Sequence, residues 1–105
     1  MEQYFTYNEH LGIELPDFQE EWKDIPETVQ HTILLKWEQI RGKIPDRIKA
    51  LEHIINTKQH GLNNEENFEI SCRLNTEIAN HASIINDLWL WYRLTQNVSE
   101  GKAHQ

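Results

Sequence analysis

The sequence has 105 residues, of which 38% are hydrophobic and 26% are charged, and its formal net charge is −7. A chain of this length predicts a single domain over 1–105 with a thin core, because small domains bury a smaller share of their surface. The negative charge argues against nucleic acid as a partner, since binding to a phosphate backbone depends on Lys and Arg.

The compartment is predicted from cysteine content and from the N-terminus. The one cysteine, Cys72, cannot form an internal disulfide and fits a reducing environment. The first residues, MEQYFTYNEH, lack the basic flank and the apolar run of a secretory signal. No apolar stretch approaches the roughly 18 residues that a membrane span needs. We therefore expect a cytoplasmic protein that has no contact with a membrane.

The N-terminal segment, residues 1–25, is predicted to be irregular and to pack on a helical body. In YFTYNEHLGIELP, aromatic residues are followed by apolar residues that alternate with polar or small ones, which indicates extended chain. Pro16 then predicts a short helix near 17–23 that carries Trp22, because proline is tolerated in a first helical turn.

Two helices are predicted next, at about 26–41 and 45–60. Their apolar residues recur every three or four positions and so share one helical face. These residues are Ile25, Val29, Ile33, Trp37, Ile40 and Ile44, followed by Ile48, Leu51 and Ile55. Gly42 and Pro45 interrupt the pattern, and a proline inside a helix costs about 3 kcal/mol and removes one hydrogen bond. A kink or break at 42–45 is therefore predicted.

A third helix is predicted at about 64–96, a range that contains neither proline nor glycine. Asn63, with Glu66 three residues later, resembles a capping box at its start. The polar residues 98–105 are expected to form a flexible tail. The stripe predicted to face the neighbouring helices is Leu74, Ile78, Ala82, Ile85, Trp89 and Tyr92.

The lengths of these helices predict an antiparallel hairpin. Residues 26–60 and 64–96 form arms of nearly equal length, and the tight turn between them makes the arms neighbours. In the simplest register, apolar residues meet at every level, with Leu51 beside Leu74. The predicted fold is therefore all-α, a helical hairpin or small bundle whose first arm is broken near Pro45.

The run NDLWLWYRLTQ, residues 86–96, is the strongest candidate for a functional surface. On a helical wheel it is apolar almost all round, and a helix of this kind is buried from several sides. The N-terminal segment could cover it, so that its aromatics are core residues, or a protein partner or a second copy of the chain could do so. A small-molecule pocket is a further possibility. The residues predicted to contact a partner are Trp89, Leu90, Trp91, Leu94 and Trp22.

No catalytic, cofactor or metal site is predicted. Glu27 with His31, and Glu77 with His81, each place a carboxylate and an imidazole one helical turn apart. The predicted register nevertheless holds the two histidines about 20 Å apart, too far to share one metal ion. Cys72 has no base nearby, and the sequence contains no strained nucleophile turn and no glycine-rich phosphate loop.

Residues 48–80 resemble the small helical-hairpin phosphatases that act on phosphorylated response regulators. The resemblance covers about a third of the chain and consists of the turn at Gly61 and the run Ser71-Cys72-Arg73-Leu74-Asn75, which is similar to a Ser-x-x-Leu-Asp pattern. Asn75 replaces the acidic residue of that pattern, and the glycine comes early. The resemblance implies a similar hairpin, and the activity is not carried over.

These patterns together predict a non-enzymatic helical interaction or regulatory protein that acts through the aromatic end of its last helix. Two alternatives remain open. One is a regulator or phosphatase-like hairpin that acts on a phosphorylated response-regulator partner. The other is a helical-bundle metal protein.

Overall fold

The computed structural model describes residues 2–94 and gives an elongated molecule of 59 × 24 × 21 Å. Its elements are a 3₁₀ turn at Glu2–Tyr4, strands β1 (Phe5–Asn8) and β2 (Ile13–Pro16), a 3₁₀ turn at Trp22–Asp24, and helices α1 (Glu27–Gly42), α2 (Ile44–Asn63) and α3 (Phe68–Arg93). None of the helices in this part of the chain is long and apolar enough to cross a membrane. The predicted tail at 98–105 lies outside the described residues.

Helices α2 and α3 pack together as an antiparallel hairpin, which confirms the predicted helical fold. Lys58 Nζ lies 2.9 Å from Glu77 Oε1, and a Cβ built on Gly61 would lie 3.9 Å from Leu74 Cδ1. Leu74 therefore lies near Gly61, and the prediction that it lies beside Leu51 is wrong. The register shifts because the chain reverses direction later than predicted, through a connection at 64–67.

Helix α3 begins after Asn67, which caps it. Asn67 Oδ1 accepts the backbone N–H of Ile70 at 3.1 Å, and Asn67 itself has an extended backbone with φ −80° and ψ 120°. Both features are typical of an N-cap. The predicted cap formed by Asn63 and Glu66 is wrong, because Asn63 is the last residue of α2 and its Oδ1 instead accepts Gln59 Nε2 at 3.1 Å.

Helices α1 and α2 meet at Lys43 in the bend that Gly42 and Pro45 predict. Lys43 keeps helical dihedral angles, φ −91° and ψ −9°, and its N–H donates to the carbonyl of Ile40 at 3.1 Å. Pro45 lies in the first turn of α2. A proline is tolerated there, because its missing N–H would have no partner within the new helix. The first arm is therefore bent, with no loop between its two parts.

The extended chain predicted in the N-terminal segment is observed as a β-hairpin in which β1 and β2 pair antiparallel. Its turn ends at Gly12, whose φ of 76° lies in the region that favours glycine. The Gly12 N–H donates to the carbonyl of Asn8 at 2.8 Å and closes the turn. The short helix predicted near 17–23 does not form as predicted. Residues 17–21 are not helical, because Pro16 ends β2 and does not begin a helix. A single 3₁₀ turn follows at Trp22–Asp24.

The buried core lies at the bent end of the molecule. Its residues are Tyr4, Phe5, Leu11, Ile13, Ile25, Ile33, Trp37, Ile44, Ile48, Leu51 and Leu88. No residue in the range 52–87 is buried. One core is therefore shared by the β-hairpin, α1, the start of α2 and the end of α3. In the rest of the α2–α3 hairpin, the two helices pack on each other and no third element packs against them.

Polar contacts attach the β-hairpin to this core. Arg47 Nε donates to the carbonyl of Leu11 at 3.2 Å. Lys36 Nζ lies 3.4 Å from Glu14 Oε2 and 4.8 Å from the centre of the Phe5 ring. A cation over an aromatic face is attracted by the ring quadrupole. The hairpin is therefore bound on two sides of the bend, to α1 and to α2.

Replacing Trp37 with alanine is expected to lower the free energy of unfolding by about 3–5 kcal/mol, since it opens a cavity in the core. Trp37 has no exposed surface. Urea unfolding followed by far-ultraviolet circular dichroism measures the change. Leu35→Ala is the control, because Leu35 lies on α1 with 68% of its surface exposed. Equal losses in the two variants would contradict this position of the core.

Asn67→Ala is expected to lower the free energy of unfolding by about 1 kcal/mol, the usual contribution of a capping side chain. Asn63→Ala is the matched control, with an expected change within about 0.5 kcal/mol. The same unfolding experiment compares them. A larger loss from Asn63→Ala would mean that α3 begins where the sequence pattern places it.

Candidate protein-interaction surface

The five residues predicted to contact a partner do not share one face. Trp89 and Leu90 are exposed, with 36% and 49% of their surfaces open, and Trp91 and Leu94 are half-buried. Trp22 is also half-buried, and its ring centre lies 5.5 Å from that of Phe18 in the same N-terminal segment. The structure therefore brings together only Trp89 and Leu90 as exposed neighbours.

Trp91 connects α3 to α1. Its ring centre lies 5.9 Å from that of Trp37, with the planes at 72°, an edge-to-face contact. Such pairs contribute about 0.5–1.5 kcal/mol beyond the area they bury. Trp91 also borders a small depression whose other walls belong to the β-hairpin. Its contacts are therefore those of a residue at the edge of the core.

Helix α3 is rotated relative to the stripe predicted to face the neighbouring helices. Leu88 is fully buried, whereas Ala82 and Trp89, which the prediction placed in that stripe, are exposed. That part of the prediction is wrong. The contact between Trp91 and Trp37 sets this rotation. It places both Trp91 and Leu88 on the side of α3 that faces the core. Trp89 follows Leu88 by about 100° around the helix and is exposed.

Arg41 fixes the last turn of α3. Its Nε donates to the backbone carbonyl of Tyr92 at 2.9 Å, and its guanidinium carbon lies 4.2 Å from the centre of the Tyr92 ring. A basic side chain at this end of a helix satisfies a carbonyl that has no partner within the helix. Trp89 packs edge-on against Tyr92, at 5.5 Å and 90°. The exposed tryptophan is thereby held in one orientation.

Between Phe68 and Tyr92, one side of α3 has no charged residue. In that range the Asp, Glu, Lys and Arg residues are Glu69, Arg73, Glu77 and Asp87, and at 100° per residue all four fall on the same side. Arg93, the last residue of the helix, lies on the opposite side, in the direction of Asn75. We call that opposite side, over residues 68–92, the uncharged face of α3. Its residues are Phe68, Ser71, Cys72, Asn75, Ile78, Ala79, Ala82, Ile85, Asn86, Trp89 and Leu90.

The sequence prediction missed the first half of this face. Phe68, at its start, is 79% exposed. Asn75, the residue that departs from the phosphatase pattern, is exposed near its middle, and Cys72 is exposed beside it. The signal in the sequence is the distribution of charge, because the acidic residues of this helix, Glu69, Glu77 and Asp87, occur on one side only. Apolar spacing alone does not reveal this face.

A second depression, of about 570 Å³, lies where α1 begins. Its walls include Trp22, Pro26, His31 and Leu34. Gln30 points its Nε2 back to the carbonyl of Trp22, at 2.7 Å, so this amide is already bonded within the chain. Binding pockets in proteins combine apolar walls with a few converging polar groups. The described residues here do not form such a set.

The described residues do not form a metal-binding cluster. No group of three or more His, Cys, Asp or Glu within residues 2–94 is placed to hold a metal ion. His81 Nδ1 lies 2.7 Å from the backbone carbonyl of Glu77, and the Glu77 carboxylate is bonded to Lys58. His31 is exposed on α1, and so is Glu27.

No protein-family model, curated protein or solved structure matches the chain. The strongest candidate for an interaction surface is the exposed pair Trp89 and Leu90, which lies at the end of the uncharged face of α3.

Lys58→Met is expected to raise the pKa of the Glu77 carboxyl group towards its ordinary value, because the hydrogen bond from Lys58 is the main cause of its lowered pKa. A lowered pKa means that the ion pair supports folding at neutral pH and is lost as the pH falls through that pKa. Carbon-detected NMR titration of the carboxyl group measures the change. An unchanged pKa in the variant would contradict the contact.

Proposed function

We propose that this chain is a non-enzymatic helical protein of the cytoplasm, which acts by binding a protein chain through the exposed end of α3. The observation that carries the proposal is the pair Trp89 and Leu90, two large apolar side chains that are exposed next to each other on the surface. Isolated apolar residues are common on protein surfaces, whereas contiguous ones are typical of interaction sites.

The rigid setting of Trp89 supports this proposal. Tyr92 packs against its ring, and Arg41 contacts both the backbone carbonyl and the ring of Tyr92. A side chain that is already ordered loses little conformational entropy on binding, so more of its contact energy remains as affinity. Tryptophan and tyrosine are also enriched among the residues that dominate binding energy.

The chemistry of the surface favours a protein partner. A nucleic acid would require a basic surface, and this end of α3 has one basic residue, Arg93. The exposed groups are mainly aromatic, aliphatic and amide side chains, which match the apolar centre of a protein interface. Trp91, Leu94 and Trp22 are half-buried. We assign Trp91 a supporting role, because its contact with Trp37 holds this end of α3 against α1.

A phosphatase-like activity has less support. Removal of an aspartyl phosphate needs a group that positions or activates water, and a carboxylate is the usual one. The corresponding position is Asn75, which is exposed on α3, and an amide can orient water but cannot accept a proton from it. We therefore retain binding as the proposed function.

Leu90→Glu is expected to abolish binding, because it places a charge at the centre of the proposed contact. The full chain is immobilised and exposed to native cytosol, and to a second copy of itself that carries a different tag. The parent should retain a partner that the variant loses. Leu35→Glu makes the same change on α1, where the leucine is 68% exposed, and should bind as the parent does. Equal retention by all three chains would refute the proposal.

A further inference from the structure

We propose that the uncharged face of α3 is the contact surface of a homodimer, in which α3 packs antiparallel on α3 of a second copy. The inference rests on the proposed function and names its partner. The contact begins at Trp89 and continues along the helix to Phe68. The two α2–α3 hairpins would then form one four-helix bundle, in which each hairpin gains the third layer that residues 52–87 lack.

The spacing along this face is that of a helix–helix seam. Seven positions alternate at intervals of three and four: Phe68, Ser71, Asn75, Ile78, Ala82, Ile85 and Trp89. This is the heptad pattern by which two helices pack. Ser71, Ile78 and Ile85 are half-buried, and the other four are exposed. The seam therefore adjoins the contact with α2 but points away from it.

Within the described residues, no other element of the chain covers the seam. The β-hairpin lies on the charged side of α3, where His10 Nε2 is 3.8 Å from Asp87 Oδ2. Phe68, Ala82 and Trp89 are exposed. The seam is therefore open to a second molecule.

Charge favours a second copy as that molecule. Each chain has a net charge of −7, so two copies repel one another wherever charged surfaces meet. On α3 they can meet without such repulsion, because Glu69, Glu77 and Asp87 all lie on the other side. A partner recognised through charge would instead need a complementary charge on this face. An uncharged surface that packs on itself needs none.

Small side chains at the edge of the seam allow two helices to approach closely. Cys72, Ala79 and Asn86 follow the seam at intervals of seven residues and are all exposed. None is bulky or charged, so the backbones can come near each other without expelling a long side chain. Asn75 is a polar residue within the seam, and a polar residue at such a position commonly selects one register and one orientation.

The orientation follows from two-fold symmetry, under which each surface meets its own copy. The seam is centred near Ile78. In the antiparallel arrangement, the exposed Phe68 of one chain lies next to the exposed Trp89 of the second copy, and the small residues Ser71 and Ala82 lie between these large ends. Alternation of large and small side chains across a contact gives good packing.

The contact area of α3 alone predicts a weak dimer. From Phe68 to Trp89 the helix extends for about 32 Å at 1.5 Å per residue, and one helix is about 10 Å wide. The product is about 300 Å² for each copy, below the size of stable interfaces. We therefore expect a dimer that forms at high protein concentration and dissociates on dilution.

Light scattering coupled to size-exclusion chromatography, over a wide range of protein concentration, tests this inference. The parent should change from 12.6 kDa to twice that mass as the concentration rises. Ala82→Glu should weaken the dimer at least about tenfold, since it places an unpaired charge in the seam. Ala82 is exposed in the single chain, and glutamate is a good helix former, so the variant keeps its fold.

Asn80→Glu is the matched control. It adds the same charge two residues away and therefore about 160° around the helix, on the charged side. Asn80 is exposed as well. Dimerisation of this variant should equal that of the parent, and circular dichroism should show the same helicity in all three chains. A parent that stays at 12.6 kDa at every concentration, or equal weakening by both variants, would overturn the homodimer.

Crosslinking tests the orientation. Asn86→Cys adds a thiol next to the seam, 14 positions from Cys72 and so about 21 Å away on the same helix, which is too far for a short bis-maleimide. Between antiparallel chains, Cys72 of one copy should link to the introduced thiol of the second copy, as identified by mass spectrometry of the linked peptides. Links between two Cys72 side chains would overturn the antiparallel arrangement.

The outcomes separate the homodimer from the proposed function. If the chain stays monomeric while native cytosol still supplies a partner that Leu90→Glu loses, the homodimer is wrong and binding by α3 stands. If the dimer forms and Ala82→Glu dissociates it, both stand. If neither a dimer nor a partner is found, both fail.

Discussion

The edge-to-face contact between Trp37 and Trp91 is the interaction on which the rest of the structure depends. It joins α1 to the end of α3, which Arg41 also connects to α1 through Tyr92, and Trp91 borders the β-hairpin. It also sets the rotation of α3, so that Leu88 is buried and Trp89 and Ala82 remain exposed. The packing of Trp91 and Leu88 on one side of α3 therefore determines which residues are exposed on its opposite side.

The helices and the bend could be predicted from the sequence because their causes are local. Apolar spacing and the prolines act within a few residues of where they occur, and so Gly42 and Pro45 indicate the bend correctly. The start of α3 could not be predicted from local patterns. Asn63 and Asn67 are both good capping residues, and the glutamate three residues after Asn63 favours the wrong one. Only the observed bond from Ile70 to Asn67 distinguishes them.

The rotation of α3 could not be predicted, because two neighbouring stripes of this helix are almost equally apolar. Ile85, Trp89 and Tyr92 form one, and residues 84, 88 and 91 form the other. Contacts with residues far away in the sequence decide which of them faces inward. The candidate surface could be predicted only in part for the same reason. Leu90 is exposed as expected, whereas Trp91 is turned towards the core by a partner 54 positions earlier, Trp37.

The distribution of the core along the chain has a consequence for synthesis. The buried residues come from positions 4 to 51 and then from Leu88, and Leu88 joins the others only through long-range contacts. Closing such long loops carries an entropic cost that must be met before the contacts form. During translation, the β-hairpin and α1 therefore leave the ribosome well before the end of α3 that completes their core. They would wait with apolar surface uncovered, in a state open to chaperones, until the end of α3 has been made.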